Sequence, residues 1–275
     1  MRGCNDRDVK FCPSLGRRSV RGLRRPDRAP VRGVGVTVLD PTAIDQILIR
    51  RRIELRFRLN PQGRLVGENL PEDPHDRTAP RLYACLGADR LVYAFRHDVP
   101  DERVEHATAA LEALADALFE SPQQIADAGA AIAHAWGDAP VLKSGPVFRI
   151  PRGLPQDEAI VLIDTSNRAA LARSFPHTHE HLHALAPCAA RLVAGHAVAI
   201  CRTVRRSRFA LEAGVDTIPE HRGRGYGAAV VAAWAERAWQ DGQVPCYSTE
   251  WSNEASLALA RRLDMMSIGA EFAIA

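Results

Sequence analysis

The stretch Val215–Gly227 reads VDTIPEHRGRGYG, with glycines at 223, 225 and 227 beside Arg222 and Arg224. Glycine leaves the backbone unobstructed, so the amides of Arg222, Gly223, Arg224, Gly225, Tyr226, Gly227 and Ala228 can converge on one anion. A helix beginning here adds its free first-turn N–H groups and its partial positive charge. The two arginines add full charges. By chemistry alone the stretch is a pyrophosphate cradle. A plain glycine-rich helix entry with solvated arginines is the bland reading, and it leaves the i, i+2, i+4 glycine spacing unexplained.

A second stretch, HTHEHLH, puts a histidine at every second position from His177 to His183. On a helix His177/His181 and His179/His183 form i,i+4 pairs; on a strand all four share a face. Imidazole ligates zinc, copper and nickel. Beyond Glu180, however, no cysteine or clustered carboxylate completes a ligand set, so no metal is expected. A solvated polar helix or loop is the simpler reading.

Elements must position these groups. In the first half, Arg81–Leu86 and Arg90–Phe95 flank Gly87-Ala88-Asp89 as a hairpin. Asp101–Phe119 carries Val104, Ala107, Leu111, Leu114 and Leu118 at helical spacing. Ser121-Pro122 opens another helix as cap and first residue, running to about Trp136. GPVFRIP, 145–151, is a short strand. Residues 40–140 show no catalytic constellation and read as scaffold. In the second half, Ala159–Asp164 is a buried strand. Asn167–Phe175 is a short helix, and His177–Leu185 a second one or an ordered loop. Ala190–Val193 and Ala197–Thr203 form a hairpin around Gly195-His196. Then come a strand (Phe209–Thr217), a helix (Tyr226–Gln240), a strand (Cys246–Glu250), a helix (Asn253–Leu263) and a strand (Ser267–Ile274). No repeat of 20–50 residues is present.

The bulk numbers bound the class. The 275 residues are 46% hydrophobic and 25% charged, as in globular proteins. No apolar run reaches membrane-spanning length, and no secretory leader pattern opens the chain. Six scattered cysteines without a C-x-x-C pair suggest reduced thiols and a cytoplasmic home. Residues 1–32 hold ten Lys/Arg and three Asp, net +7, so the other 243 carry 3 − 7 = −4. The basic extension, residues 1–36, is expected to be disordered. It lacks aromatic interleaving and is broken by prolines, so no nucleic-acid partner is expected. The remaining chain divides into an N-terminal α/β region (37–150) and a second domain (151–275).

The segment Arg222-Gly223-Arg224-Gly225-Tyr226-Gly227, with Pro219 upstream, resembles motif A of the GNAT superfamily of N-acetyltransferases. The element order over about 159–274 is similar to that superfamily's core. YSTEWSNEASLALARRLDMM resembles its β5–α4 segment, with Asn253 opening the helix. EAGVDT, RGRGYG, AAWAERAW and YSTEWSNEASLALARRL look most like the subgroup of zwittermicin-resistance-type acetyltransferases. The resemblance implies a mixed α/β fold with a central sheet splayed between two strands. It implies acetyl-CoA as acyl donor. Backbone groups at Val215, Asp216 and Thr217 would pair with the pantetheine arm, and Gly223 to Ala228 would hold the pyrophosphate. Asn253 and Ser256 would flank the cysteamine end. A backbone amide near Val215 would polarise the thioester carbonyl.

The resemblance further implies a base that accepts the acceptor's proton. Glu212 and Glu250 are the candidates. The usual base position falls on Leu211, so Glu212 requires a bulge in its strand. The usual tyrosine of the last helix is Ala260 here, which leaves Tyr247, Ser248 or water to protonate the thiolate. The superfamily's final strand is absent after Ile274, and the N-terminal half would complete the sheet. His177–His183 would fall in the acceptor wall. The implied reaction is direct transfer from acetyl-CoA to a small-molecule primary amine in a ternary complex. A homodimer is one option for the assembly. Two alternatives stand. Gly223-x-Gly225-x-x-Ala228 with Glu250 also fits a nicotinamide or flavin dinucleotide fingerprint. A non-catalytic acyl-CoA-binding module is the other.

Overall fold

The computed structural model describes residues 40–72, 78–88, 90–115, 122–137 and 142–275. The extension expected over 1–36, Cys4, Cys12, the Asp89 turn position and the Ser121 cap lie outside the described residues.

The first half folds as α1 (Pro41–Arg50), α2 (Arg52–Arg56), a small hairpin of β1 (Phe57–Leu59) and β2 (Leu65–Glu68), then β3 (Leu82–Gly87) and β4 (Leu91–Phe95). It continues through α3 (Asp101–Ala115), α4 (Pro122–Ala135) and β5 (Leu142–Arg149). The second half contributes β6 (Ile160–Leu162), α5 (Pro176–Glu180), α6 (Leu182–Leu185), β7 (Cys188–Val193), β8 (His196–Arg206) and β9 (Ala210–Thr217). Then follow α7 (Tyr226–Gln240), β10 (Val244–Ser248), α8 (Glu254–Arg262) and β11 (Met266–Ile274).

Nine strands form one mixed sheet in the order β4-β3-β11-β5-β10-β9-β8-β7-β6. The halves therefore share a sheet. β5 lies antiparallel between β10 and β11, so the N-terminal half supplies a strand to the middle of the sheet. β9 and β10 are parallel, joined by α7.

Alternation decides what each face meets. On β9, Leu211 and Ala213 pack with Trp234, Val231 and Ala260 beneath α7 and α8. Ala210 packs on the other face with Ile49, Leu55 and Tyr83 from α1, α2 and β3. α7 buries Val231, Trp234, Ala235 and Ala238, the expected stripe. Trp234 is fully buried, and its indole N–H donates to Thr203 Oγ1 at 3.2 Å. A third cluster holds α3 and α4 on β3 and β11.

Three expectations need correction. β6 is only three residues long and sits at the sheet edge with Leu162 exposed, so the apolar run at 159–164 is not a buried strand. Residues Arg168–Leu171 form one 3₁₀ turn instead of a longer helix. The bulge lies in β8 and not in the strand of Glu212. Val204 is the extra residue, while β9 keeps an unbroken register from Leu211 to Thr217. A Cβ at Gly214 would stand 2.2 Å from Val204 Cγ1, so the glycine makes room for it.

Candidate active site

β9 and β10 pair through Val244↔Ala210, Pro245↔Leu211 and Cys246↔Glu212, and no further. Beyond that point they splay. Ile218 N donates to Val198 O at 3.0 Å, which makes 218/198 a hydrogen-bonded pair of the β8–β9 ladder. Counting back along the register, Asp216 and Gly214 also face β8. Ala213, Val215 and Thr217 therefore direct their backbone groups into the splay. Their parity agrees with Phe209, whose carbonyl accepts from Val244 N of β10 at 2.8 Å. Arg222 Nε occupies the Thr217 carbonyl at 3.1 Å. The Val215 amide and carbonyl and the Thr217 amide stay open to an extended ligand.

The glycine stretch lies at the far end of this edge. Gly223 and Gly225 have φ of +72° and +80°, a left-handed geometry that side chains resist. Gly225 is the N-cap of α7 and offers no side-chain oxygen, so the first-turn amides keep their donors. The Ala228 amide differs from expectation, because it bonds the Gly225 carbonyl at 3.1 Å. Arg222 and Arg224 brace the loop through carbonyls of Thr217 and Glu220. Tyr226 is covered by Arg191, 5.0 Å from the ring centroid, and by the His221 ring at 6.1 Å. Sequence reasoning missed a further cation. Arg262, at the end of α8, leans over the loop, and its Nη2 would lie 2.9 Å from a Cβ at Gly225. Arg-Arg at 261–262 was visible, but its docking on a loop 37 positions away was not.

Asn253 caps α8, its side chain accepting from Ser256 N at 3.1 Å. Tyr247 points to the α8 face and is bonded to Ser256; burial raises its hydroxyl above the ordinary range. Ala260 is buried among the α7 and α8 core residues. Asp216 is ion-paired with Arg202.

On the opposite face a polar cavity of ≈ 970 Å³ opens beside the splay. Glu250, Asn253 and Ser248 line it from one side, and Arg56, Glu68 and Tyr83 of the first half from the other. Below it lies a buried ionic cluster. Arg52, 1% exposed, donates to Glu212 at 2.7 Å and to Glu271 at 2.9 Å. Arg205 bridges Glu212 at 3.1 Å and Glu68 at 3.0 Å. Arg56 holds Glu271 at 2.6 Å, and the Tyr83 hydroxyl donates to Glu271 at 2.5 Å. Ser248 Oγ donates to Glu212 at 2.6 Å. Burial would raise the Glu212 carboxyl, but Arg52, Arg56 and Arg205 outweigh it and hold it well below the usual range. The N-terminal residues expected to be scaffold thus reach the centre of the site.

The two candidate bases differ in kind. Glu212 is 2% exposed and saturated with donors. Glu250 is exposed, lines the cavity and forms no ion pair with the described residues. Cys246, where the strands part, is an inert thiol: burial pushes it up to about 12. Cys85, Cys188 and Cys201 are likewise free and buried.

The histidines do not join this site. α5 and α6 break at His181, so the four share neither a helix nor a strand. The His177 and His181 rings meet at a tilt, 4.7 Å between centroids, with Glu72 3.8 Å from His177. None lines the 970 Å³ cavity; His183 lines a separate ≈ 480 Å³ cavity near Arg237 and Asp241. Among the described residues, no group of three or more His, Cys, Asp or Glu side chains comes together as a metal site. No helix among them is long and apolar enough to cross a membrane.

Residues 176–266 match the family model described as GNAT acetyltransferase. No curated protein matches the chain in sequence. Among solved structures, a GNAT-family acetyltransferase from Novosphingobium aromaticivorans is 19% identical, with 50% of this chain and 65% of that one covered and a TM-score of 0.39. A GCN5-related N-acetyltransferase-like protein from Streptococcus suis is 16% identical over 73% of this chain and 86% of that one, TM-score 0.44. A GCN5-related N-acetyltransferase from Kribbella flavida is 13% identical over 88% and 96%, TM-score 0.45. The family match runs from α5 into β11 and takes in the splayed edge, the glycine cradle and Asn253, so over residues 176–266 this chain is similar to the GNAT acetyltransferases.

Proposed function

We propose that the chain is an N-acetyltransferase that moves an acetyl group from acetyl-CoA to a primary amine of a small molecule. The observation that carries this reading is the continuous path from cradle to cavity. Amides at Gly223–Gly227 take the diphosphate, with Arg262 as a third nearby cation. The free edge at Val215 and Thr217 takes the pantetheine arm as an added strand. The thioester then lies where β9 and β10 part, beside the cavity that holds Glu250.

Within that frame the amine enters the cavity as an ammonium ion, and Glu250 accepts its proton. The freed lone pair attacks the thioester carbon, and a new C–N bond forms. The oxygen's developing charge is met by the Val215 amide. The C–S bond breaks, the nitrogen gives up its second proton to water, and the CoA thiolate takes a proton from water or from Tyr247, which water then reprotonates. Glu250 suits the proton transfer better than Glu212, because a carboxylate held down by three arginines is a weak base. Glu212 serves instead to hold Arg52 and Arg205 under the cavity floor. Cys246 does not suit an acyl-enzyme route, so attack is direct. The dinucleotide reading is not favoured, since the family match covers the same glycines.

The test is release of free thiol from acetyl-CoA in the presence of a panel of primary amines, with the acetylated product identified by mass. Glu250→Gln is expected to lower kcat by about 10²-fold or more. Wild-type activity in Glu250→Gln removes Glu250 from the role. Absence of transfer to any amine, together with no CoA binding, removes the reading itself.

A further inference from the structure

We propose that Gly145 of β5 is a positioning residue that fixes Glu250 at the cavity, an inference resting on the reading of Glu250 as the base. β10 ends at Ser248, yet the next residues do not leave the sheet. Thr249 N donates to Pro146 O at 3.4 Å and Trp251 N to Ser144 O at 3.1 Å, so residues 249–251 lie along β5. Between those two bonds the chain crosses directly over Gly145. A Cβ there would stand 1.7 Å from Thr249 O, 2.7 Å from its carbonyl carbon and 2.9 Å from Glu250 Cα. These are backbone atoms, so no rotamer change relieves the contact. The φ of Gly145 is not left-handed; close approach alone excludes a side chain.

β5 cannot yield either. It is paired on one side with β10, Val147 facing Ser248, and on the other with β11, Gly145 facing Glu271. Any added methyl is therefore accommodated by the 249–251 segment. Asn253 N donates to Glu250 O at 3.0 Å, so the displacement passes to the cap of α8 as well. The N-terminal half thereby sets the position of a group that acts in the C-terminal half, through one missing side chain. The cradle at Gly223–Gly227 is built on β9 and α7 and lies outside this crossing.

Gly145→Ala is the variant to make. Expected are a kcat at least tenfold lower, a several-fold smaller effect on KM for acetyl-CoA and on CoA binding read from the rise in melting temperature, and faster amide exchange at Thr249 and Trp251. Unchanged kcat with unchanged exchange at those amides overturns the proposal. Equal loss of CoA binding also overturns it, since that marks general damage. Should the variant fail to fold, wild-type exchange decides. The Thr249 and Trp251 amides are expected to exchange as slowly as those of β10, and fast exchange there overturns the crossing. A wild-type protein without transfer activity refutes the base reading, and amide exchange still reports on the crossing by itself.

Discussion

Replacing Arg52 with methionine removes the charge at the centre of the ionic cluster while keeping most of the volume. The guanidinium is 1% exposed and serves Glu212 at 2.7 Å and Glu271 at 2.9 Å, with a longer contact to Cys246 Sγ at 3.7 Å. Removing one partner of a buried pair costs about 3–5 kcal/mol, because the other charge is left uncompensated. Here each carboxylate keeps other donors. Glu212 retains Arg205 and Ser248; Glu271 retains Arg56 and Tyr83. The lower end, about 3 kcal/mol, is therefore expected, or a fall in Tm of roughly 6–12 °C for a chain of this size. The pH dependence gives a second reading. Both carboxyls have folded pKa values below their unfolded ones, so their contribution is present above the unfolded carboxylate range and is lost as pH falls through the folded value. The deficit of Arg52→Met is accordingly largest near neutrality and narrows below about pH 4, where the native protein loses the same contribution. Denaturant titrations of both proteins at pH 7 and at about pH 2.5 measure this. A loss below about 1 kcal/mol at pH 7 refutes the reasoning, as does a deficit that does not change with pH.

Three other outcomes follow from the same geometry. Arg262→Gln should weaken CoA binding about 5–10-fold and lessen its salt dependence, read by calorimetry at two ionic strengths, as expected for one charge-assisted contact. Cys246→Ala should retain acetyl transfer within about threefold, because a thiol pushed up to about 12 supplies no nucleophile; loss of a burst phase and of turnover together would instead mark a covalent route. Trp234→Ala should cost about 3–5 kcal/mol in denaturant unfolding, since the ring is fully buried against β8 and β9 and its N–H is bonded to Thr203.

Local features were the legible ones. Glycines at 223, 225 and 227 announced an unobstructed backbone at a helix start, and the structure adds that the first two have positive φ. The apolar spacing of 226–240 gave a helix with the same bounds in sequence and structure. Ser252 and Asn253 were both readable as the cap of α8 from their types and places, and the structure uses Asn253. What escaped depended on long-range placement. Arg52, Arg56, Glu68 and Tyr83 look like ordinary surface or core residues in their own segments. They become a site only because α2 and β2 meet β8, β10 and β11, and β3 joins the sheet beside β11. The bulge at Val204 was assigned to the neighbouring strand, since pairing registers are a property of two strands and a sequence displays one at a time. The histidine run suggested two i,i+4 pairs on one face; His177 and His181 do meet, while the break between α5 and α6 at His181 puts His179 and His183 on different helices. Gly145 had the least signal of all, an unremarkable glycine before a proline whose role is the backbone lying on it.

The account depends on the glycine stretch being a CoA cradle. The most direct measurement is the thermal midpoint of the native protein and of Gly225→Glu with acetyl-CoA, CoA or NAD, because a ligand that binds only the folded state must raise the midpoint. The account predicts a rise with acetyl-CoA and CoA, none with NAD, and loss of the rise in Gly225→Glu. A rise with NAD and none with CoA would contradict it.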